Sequence, residues 1–337
     1  MNKPLITIMT LGGTIAMTQQ SDPDAGVVPT LTGESLVASV PALADIARVQ
    51  VETIQQLGSS QLQFQHIEGL AAAIQALEAH QDHAGVIVTQ GTDTLEETAF
   101  ALDRLLSVSF PVVVTGAMRN PSLPGADGPA NILAASLVAT SEAAQGCGVL
   151  VVLNDEIHAA RFARKMHTSL PQAFASPLNG PIGWLSENRV HIMVRPAPMP
   201  PVNPITAPAS AVVPLVKVGL GENGEVVQAM LKQGGFAGLV VEGTGGGHVS
   251  ETMANVLEEA VKTMPVIFAS RCGSGATLSQ TYGYPGSEID LLRRGLISAG
   301  WLDGVKARVL LSLLLRHGTT SRDDIAAAFV SWGGHAG

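Results

Sequence analysis

The stretch "GVIVTQGTDTLEETAFALDRLL", residues 85–106, carries the pattern from which the fold class is predicted. It begins with a β-branched apolar run at 85–90, crosses a glycine turn, and continues with apolar residues at helical spacing through 95–106. A continuous apolar run of this kind is typical of a strand buried on both faces of a parallel sheet. Because strand and helix alternate in α/β proteins, the stretch predicts an α/β fold.

The same alternation extends along the first two thirds of the chain. Similar apolar runs predict four further strands, at 4–9, 49–55, 111–117 and 148–155. Ile67, Leu70, Ile74 and Leu77 repeat at helical spacing and predict another helix. We therefore expect a large N-terminal domain in which a parallel sheet is flanked by helices on both faces.

A proline-rich stretch, "RPAPMPPVNPITAPASAVVP" at 195–214, interrupts the alternation with seven prolines. Proline disfavours both the helix interior and the central strand, so this stretch predicts a stiff, extended linker. The alternation then resumes, with strands expected within 214–220, 238–243 and 265–270 and helices at 249–263 and 304–315. The expected organisation is an N-terminal α/β catalytic domain at 1–194, a linker at 195–213 and a smaller C-terminal α/β domain at 214–337.

The composition of the chain indicates which kind of ligand or partner it binds. The 337 residues are 46% apolar and carry a net charge of −9, which argues against binding to nucleic acid or to anionic lipid. No apolar run approaches the roughly 20 residues that would span a bilayer, and the first apolar run predicts a strand rather than a signal peptide. Cys147 and Cys272 lack the spacing of a zinc site and are expected to be buried free thiols. We expect a cytoplasmic protein that binds a small molecule without metal.

The loops after the strands are where ligands bind in open parallel sheets. In "LGGT", residues 11–14, the glycines allow a tight turn, and Thr14 either bonds locally or faces the crevice. In "TQGTDTLEETA", residues 89–99, Thr94 and Glu97 predict a capping box for the next helix. Thr92 and Asp93 then remain either as part of the cap or as functional groups.

Two later loops offer charged or glycine-rich candidates. Arg161, Arg164 and Lys165 lie close in sequence, as on a solvated basic face. A lysine beside a Thr-Asp pair would instead stabilise the carboxylate or, if neutral, accept a hydroxyl proton. The glycine-rich "EGTGGGHVSE", 242–251, lacks the third glycine of a dinucleotide fingerprint, and a serine rather than an acidic residue ends the next strand. The sequence therefore gives no support for a nucleotide cofactor and leaves His248 as either structural or catalytic.

Several of these loops together resemble one family. "GGTIA", "GVIVTQGTDTLEET", "TGAMR" followed by "ADGPAN", "VLVVLND", "GTGGG", "SRCGSGAT" and "KARVLL" resemble, in order and spacing, motifs of the bacterial-type L-asparaginases, the asparaginase/glutaminase amidohydrolase family. The resemblance covers almost the whole chain. It implies a two-domain α/β enzyme that hydrolyses the side-chain amide of asparagine without a metal or organic cofactor. It also implies a homotetramer built as a dimer of dimers, with each active site completed by a neighbouring C-terminal domain.

The resemblance also implies roles for particular residues. Thr14 would be the nucleophile that forms an acyl-enzyme, and Thr92, Asp93 and Lys165 would form the second catalytic group. The substrate would be bound by Ser59, Ser60, Gly91, Asp93 and Ala117. A neighbouring subunit would contribute His248, Tyr282 or Glu288. An aliphatic hydroxyl needs a proton acceptor and oxyanion donors to attack an amide, and two threonines with Asp and Lys behind one of them can supply these functions.

The sequence departs from the family at identifiable positions. Leu11 replaces a small residue before the glycine pair, and Gln90 replaces the usual histidine before "GTDT". The family usually has a tyrosine after the first motif, but residues 15–40 contain none. The only tyrosines are Tyr282 and Tyr284, in the second domain, where "LSQTYGYPGSE" also displaces the glutamate that many members have soon after "GAT". We therefore expect Tyr282 or Tyr284 to contribute to catalysis.

Three functional alternatives remain open at this stage. A glutaminase-asparaginase would accept L-glutamine or D-asparagine as well, since one methylene changes binding by only about 1–3 kcal/mol. An ammonia-releasing subunit of a tRNA amidotransferase would carry an extra N-terminal domain, whereas this chain begins at the first predicted strand. An amino-acid-binding or regulatory protein with slow turnover would keep the pocket. The retained Thr14, Thr92, Asp93 and Lys165 argue against it, whereas the missing tyrosine leaves it open.

Overall fold

The computed structural model describes residues 3–13, 15, 17–19, 27–29, 33–80, 82–202 and 208–333 of the chain. The chain divides into two compact units, Met1–Pro201 and Val202–Gly337. This boundary lies in the segment that the sequence assigns to the linker, and the bounds of the linker at 195–213 stay a prediction. In the described ranges, no helix has the length and apolar character needed to cross a membrane.

The N-terminal unit is built on an eight-stranded sheet. The described strands of this unit, in the large sheet and in two small two-stranded sheets, are β1 (Leu5–Thr10), β2 (Met17–Gln19), β3 (Val27–Pro29), β4 (Arg48–Thr53), β5 (His83–Thr89), β6 (Val112–Thr115), β7 (Val149–Leu153), β8 (Glu156–Ala159), β9 (Arg164–Lys165), β10 (Phe174–Ala175), β11 (Gly183–Ser186) and β12 (Arg189–Ile192). Its described helices are α1 (Gly33–Ala38), α2 (Leu43–Ile46), α3 (Phe64–Leu77), α4 (Leu95–Leu105) and α5 (Gly128–Ala139).

The large sheet is mixed, with a parallel part and an antiparallel part. Its order is β12-β11-β8-β7-β6-β5-β1-β4, and the five strands from β7 to β4 in this order run parallel. These are the five strands that the sequence predicts, and the α/β fold class is confirmed. The strands β8, β11 and β12 are antiparallel to their neighbours, so the expected parallel sheet is extended at this edge by three antiparallel strands.

Two-residue turns explain the antiparallel edge. Asn154 and Asp155 both have positive φ angles, 52° and 60°, and they reverse the chain between β7 and β8. Glu187 and Asn188, with φ of 51° and 58°, do the same between β11 and β12. Positive φ at both central residues is the geometry of a type I′ turn, which joins adjacent antiparallel strands. The predicted strand at 148–155 therefore ends at Leu153.

Four of the five parallel strands, β1, β5, β6 and β7, are largely buried, whereas the edge strand β4 consists of exposed and half-buried residues. All six residues of β1 are buried, and alternate strand residues such as Ile6, Ile8 and Ile87 join α5 in one hydrophobic cluster. Leu70 of α3 and Leu102 of α4 are both fully buried. These predicted helices are confirmed, and the sheet holds its carboxyl-end loops on a rigid, close-packed base.

The second unit is a smaller α/β unit with its own parallel sheet. Its described strands are β13 (Leu215–Lys217), β14 (Leu239–Gly243), β15 (Val266–Ser270) and β16 (Ile297–Ser298), in the order β13-β14-β15-β16. Its described helices are α6 (Glu225–Gln233), α7 (Glu251–Val261), α8 (Glu288–Arg293), α9 (Gly304–Arg316) and α10 (Arg322–Gly333). The predicted strands and helices of this domain are confirmed, and Val241, Leu257 and Phe268 lie in its core.

Three local expectations are wrong. Thr94 precedes α4, but its side chain makes no capping hydrogen bond, because its hydroxyl donates to the backbone oxygen of Ser59 at 2.9 Å. Cys147 is a buried free thiol as expected, whereas Cys272 is exposed. Arg161 is not on a solvated face, since its side chain is 7% exposed and lies 3.7 Å from Asp103.

Candidate active site

The loops after β1, β4 and β5 lie against one another at the carboxyl edge of the large sheet. Gly13 has a φ of +91°, and a Cβ added to it would lie 1.9 Å from the backbone nitrogen of Gly91. A Cβ added to Gly12 would lie 2.6 Å from the backbone oxygen of Leu57. Only glycine permits both the backbone conformation and this approach. The glycine pair therefore joins the first loop to the loops that carry Ser59 and Thr92.

The side chains of Thr92, Asp93 and Lys165 form one hydrogen-bonded cluster. Nζ of Lys165 lies 2.9 Å from Oγ1 of Thr92 and 2.7 Å from Oδ1 of Asp93. Thr92 is 5% exposed, and the side chains of Lys165 and Asp93 are 16% and 71% exposed. As an ammonium group, Nζ donates to both oxygens, and as a neutral amine it can accept the proton of Thr92. The cluster can thus store or move a proton beside an open carboxylate.

A short hairpin brings Lys165 to this cluster from far along the sequence. Lys165 pairs with Phe174 between β9 and β10, and the backbone nitrogen of Met166 donates to the backbone oxygen of Ala173. The carboxylate of Glu96, in the first turn of α4, accepts a hydrogen bond from the backbone nitrogen of Lys165. Since Glu96 follows Thr92 and Asp93 on the same loop and helix, it aligns the lysine with them.

Ser59 lies beside the cluster, in a short 3₁₀ turn at Ser59–Gln61. Ser59 is 4% exposed, and a Cβ added to Gly91 would lie 2.9 Å from its Oγ. The hydroxyl of Thr94 holds the backbone oxygen of Ser59, whereas Ser60 next to it is exposed. Ser59 thus places a buried hydroxyl beside Gly91, and the next residue, Ser60, is exposed.

The loop after β6 carries Ala117, and it is held by the side chains of Asp127 and Asn131. The carboxylate of Asp127 accepts from the backbone nitrogens of Met118 and Arg119, at 3.0 and 2.8 Å. Nδ2 of Asn131 donates to the backbone oxygen of Gly116 at 3.0 Å, and its Oδ1 accepts from the backbone nitrogen of Asn154 at 3.0 Å. These two side chains fix the buried Ala117 at the edge of the sheet.

Gln90 lies at the base of the cluster. It is fully buried, and its Nε2 donates to the backbone oxygen of Gly91 at 3.2 Å. Its Oε1 is buried and has no hydrogen-bond partner among the described residues. A buried carbonyl oxygen without a hydrogen-bond partner lowers the stability of the folded state. Gln90 is therefore a polar residue of this site, not a packing residue alone.

The second unit holds a separate polar cluster around His248. Its Nε2 lies 2.8 Å from Oε2 of Glu288, and its Nδ1 lies 2.8 Å from the hydroxyl of Tyr284. The side chain of Glu288 is fully buried, and its Oε1 accepts from the backbone nitrogens of Thr281 and Tyr282 at 2.8 and 2.6 Å. Burial by itself raises the pKa of Glu288, but these hydrogen bonds outweigh it and bring the pKa below its ordinary value.

The predicted site residues fall into three sets. Thr92, Asp93, Lys165, Ser59 and Gly91 are in mutual contact or share hydrogen bonds, with Ser60 and Ala117 on adjoining loops. His248, Tyr282 and Glu288 form a second set within the second unit, to which the structure adds Tyr284. Thr14 lies outside the described residues.

The structure also brings in residues to which the sequence assigned no role. Glu96, Asp127 and Asn131 hold the loops that carry the candidate groups. Asp127 and Asn131 belong to "ADGPAN", which was quoted for the resemblance without a role for either side chain. Nothing in the local sequence links Glu96 to Lys165, because 69 positions separate them.

Known proteins resemble the chain over nearly its whole length. The family model described as asparaginase, N-terminal, matches residues 5–198, and the glutaminase/asparaginase C-terminal domain matches residues 212–329. A probable L-asparaginase of Deinococcus radiodurans is 36% identical over 333 residues, covering 97% of each chain. A protein of Haemophilus influenzae named probable periplasmic L-asparaginase is 34% identical, covering 93% of this chain and 88% of that one. The crystal structure of a probable cytoplasmic L-asparaginase from Campylobacter jejuni superimposes with a TM-score of 0.85 at 31% identity, over 98% of this chain and 100% of that one.

Proposed function

This chain belongs to the asparaginase family, and we propose that it hydrolyses L-asparagine to L-aspartate and ammonia through a threonine-bound acyl-enzyme. The observation that carries the proposal is the cluster in which Lys165 contacts both Thr92 and Asp93. A hydroxyl hydrogen-bonded to a lysine, with a carboxylate beside it, is an arrangement suited to proton transfer during amide hydrolysis. No step of this reaction requires a metal or an organic cofactor.

The two half-reactions assign different roles to the two threonines. In acylation, Oγ1 of Thr14 bonds to the side-chain carbonyl carbon of asparagine, the C–N bond breaks, and ammonia leaves with the proton that Thr14 gave up. In deacylation, Thr92 and Lys165 orient a water molecule and accept its proton as the water oxygen bonds to the acyl carbon. The ester bond to Thr14 then breaks, the proton returns to Oγ1 of Thr14, and aspartate is released. The role of Thr14 rests on its motif alone.

The surrounding groups suit a zwitterionic amino acid. Asp93 has an exposed carboxylate that can receive the α-ammonium group, while Ser59, Ser60 and the backbone of Gly91 supply donors for the α-carboxylate. Ala117, on the loop after β6, would lie beside the amide. Converging donors and acceptors of this kind bind an amino acid more selectively than an apolar pocket would.

We further propose that the protein is a cytoplasmic homotetramer, built as a dimer of dimers, in which the neighbouring subunit contributes His248, Tyr282 or Glu288 to each active site. The free and exposed thiol of Cys272 supports a reducing compartment. The name of the Campylobacter protein agrees with this compartment, and that of the Haemophilus relative does not. Sedimentation analysis tests the assembly, and cell fractionation tests the compartment.

Ammonia release tests the reaction itself. We expect wild-type protein to release ammonia from L-asparagine, and Thr14→Ala and Thr92→Val to lower kcat by about 10²–10⁴-fold. Wild-type assays with L-glutamine and D-asparagine measure the breadth of specificity and test the glutaminase-asparaginase alternative. Absence of release from all three amides would favour the binding-protein alternative, and normal rates in both variants would refute the assigned threonines.

A further inference from the structure

The second unit holds a row of three side chains, Tyr284, His248 and Glu288, whose hydrogen bonds have a direction. The Glu288 carboxylate is ionised and fully buried, so it can only accept, and Nε2 of His248 must carry the hydrogen that bonds it. In the neutral imidazole, Nδ1 then has a free lone pair. The hydroxyl of Tyr284, 2.8 Å away, donates to that lone pair. The phenol is therefore aligned to pass its proton to His248.

The accessible end of the row is Tyr284. This residue is 49% exposed, whereas the side chains of His248 and Glu288 are 14% and 0% exposed. Tyr282 is similarly exposed, but its ring stands nearly perpendicular to that of His248, with centroids 5.2 Å apart, and its backbone nitrogen donates to Glu288. Of the two tyrosines, only Tyr284 is shown with its hydroxyl on the imidazole, so the geometry distinguishes them.

Both loops that form the row are anchored. Gly286, with a φ of +83°, accepts from the backbone nitrogen of Val249, and a Cβ added to it would lie 2.3 Å from the Val249 oxygen. The backbone nitrogen of Leu278 donates to Gly246, and His248 exchanges two backbone hydrogen bonds with Thr244. The phenol thus projects from a fixed base rather than from a loose loop.

We propose that Tyr284 is the proton-transferring group of acylation, with His248 and Glu288 as its positioning residues. This inference rests on the proposed function, including the neighbouring-subunit assembly through which the phenol reaches the substrate. As Oγ1 of the nucleophilic threonine bonds to the amide carbon, its proton passes to the Tyr284 oxygen and the phenol proton passes to Nδ1 of His248. As the C–N bond breaks, Tyr284 gives its proton to the leaving nitrogen and His248 returns the other. Ammonia leaves, and the row regains its first state. Tyr284 thereby fills the role left by the tyrosine that residues 15–40 lack.

The test compares two phenols and two leaving groups. Tyr284→Phe and Tyr282→Phe each remove one hydroxyl and keep the ring, and both are assayed with L-asparagine and with the β-hydroxamate of L-aspartate. Hydroxylamine is a weaker base than ammonia, so its departure depends less on proton donation. For Tyr284→Phe we expect kcat on L-asparagine to fall about 100-fold with KM within about threefold, and the loss on the hydroxamate to be at least about tenfold smaller. The loss in Tyr282→Phe should be at least about tenfold smaller than that in Tyr284→Phe.

The outcomes separate this inference from the function on which it rests. If the wild type releases ammonia while Tyr284→Phe stays within about threefold of it, the relay is wrong and the proposed function stands. An equal loss on both substrates would overturn the proton donation from Tyr284 to the leaving nitrogen. If the wild type releases no ammonia, the proposed function fails and the relay with it. Should Tyr284→Phe fold poorly, His248→Asn, which keeps both phenols, must show the same leaving-group dependence. Wild-type rates in that variant overturn the relay.

Discussion

The two polar clusters use their carboxylates in opposite ways. Asp93 bonds Lys165 at 2.7 Å with its side chain 71% exposed, and Glu288 bonds His248 at 2.8 Å with its side chain fully buried. The first carboxylate keeps lone pairs free for a ligand. The second gives its oxygens to an imidazole and two backbone nitrogens. From this difference we propose that Asp93 binds the substrate, whereas Glu288 positions His248.

The largest expected effect is on the reaction and concerns Lys165. Lys165→Met keeps the length and apolar stem of the side chain but removes the amine that contacts Thr92 and Asp93. We expect kcat/KM for L-asparagine to fall about 10³-fold, equivalent to about 4 kcal/mol of activation free energy. The control is Lys262→Met, since Lys262 forms an exposed ion pair with Glu259 in the second unit. Equal rates in the two variants would remove Lys165 from the mechanism.

The next effect is on stability and concerns Glu288. Glu288→Ala leaves the backbone nitrogens of Thr281 and Tyr282 without their acceptor in a buried position, so we expect a loss of about 3 kcal/mol in the second unit. Hydrogen exchange of α8 and of the loop at 278–287 measures it. Glu259→Ala removes an exposed carboxylate of an i,i+3 pair and should cost less than about 0.5 kcal/mol. A comparable loss in both variants would contradict the architectural role of Glu288.

The acid sensitivity of the two units should differ as well. Burial lowers the pKa of His158, in β8, to about 4 from 6.5. Between these two pKa values the unfolded chain binds a proton at His158 that the folded unit does not bind. The free energy of unfolding of the N-terminal unit should therefore fall by about 2 kcal/mol between pH 7 and pH 4.5. In the second unit, the pKa of Glu288 is lowered from 4.5, so its contribution is present above that value and is lost only as pH falls through the lower, folded value.

Hydrogen exchange followed separately in β7–β8 and in α7–α8 measures this difference. His158→Gln removes the titrating group, and the N-terminal unit of that variant should show a flatter dependence on pH. If both units lost stability over the same pH range in the wild type, the assignment of acid sensitivity to His158 would fail.

The smallest expected effect is the stability of Asp93→Asn. Because the side chain is mostly exposed, its loss of charge should change the free energy of unfolding by less than about 0.5 kcal/mol. The same change should raise KM for L-asparagine, since the carboxylate is proposed to bind the α-ammonium group. Thermal melts and steady-state kinetics on one preparation provide both values. A destabilisation above about 1 kcal/mol would place Asp93 with Glu288 on the architectural side of the comparison.

The parts of the fold that sequence analysis predicts are those with a strong periodic or continuous signal. The parallel strands β1, β5, β6 and β7 are apolar runs rich in β-branched residues, and their burial on both faces explains the pattern, whereas the edge strand β4 is mostly exposed. The antiparallel strands β8, β11 and β12 follow turns whose central pairs, Asn154–Asp155 and Glu187–Asn188, contain no glycine. Helix α5 is apolar on most sides and has no amphipathic period to detect.

The candidate site divides in the same way. Thr92 and Asp93 are detectable because they follow a predicted strand, whereas Lys165 sits on a two-residue strand that leaves no periodic trace. The sequence draws attention to Tyr282 and Tyr284 as the only tyrosines, but not to the hydrogen bonds that separate their roles. His248 and Glu288 are 40 positions apart, and only the fold brings them within hydrogen-bonding distance.

The contact between Gly13 and Gly91 has a consequence for engineering. Backbone atoms, rather than side chains, set the spacing between the loops that follow β1 and β5. We propose that Ser60 and Ala117 line the substrate site, and libraries that vary them would then change its shape for a longer or differently branched amide while the two loops keep their spacing. We expect substitutions at the two lining positions to be tolerated and substitutions of Gly13 or Gly91 to disrupt the fold.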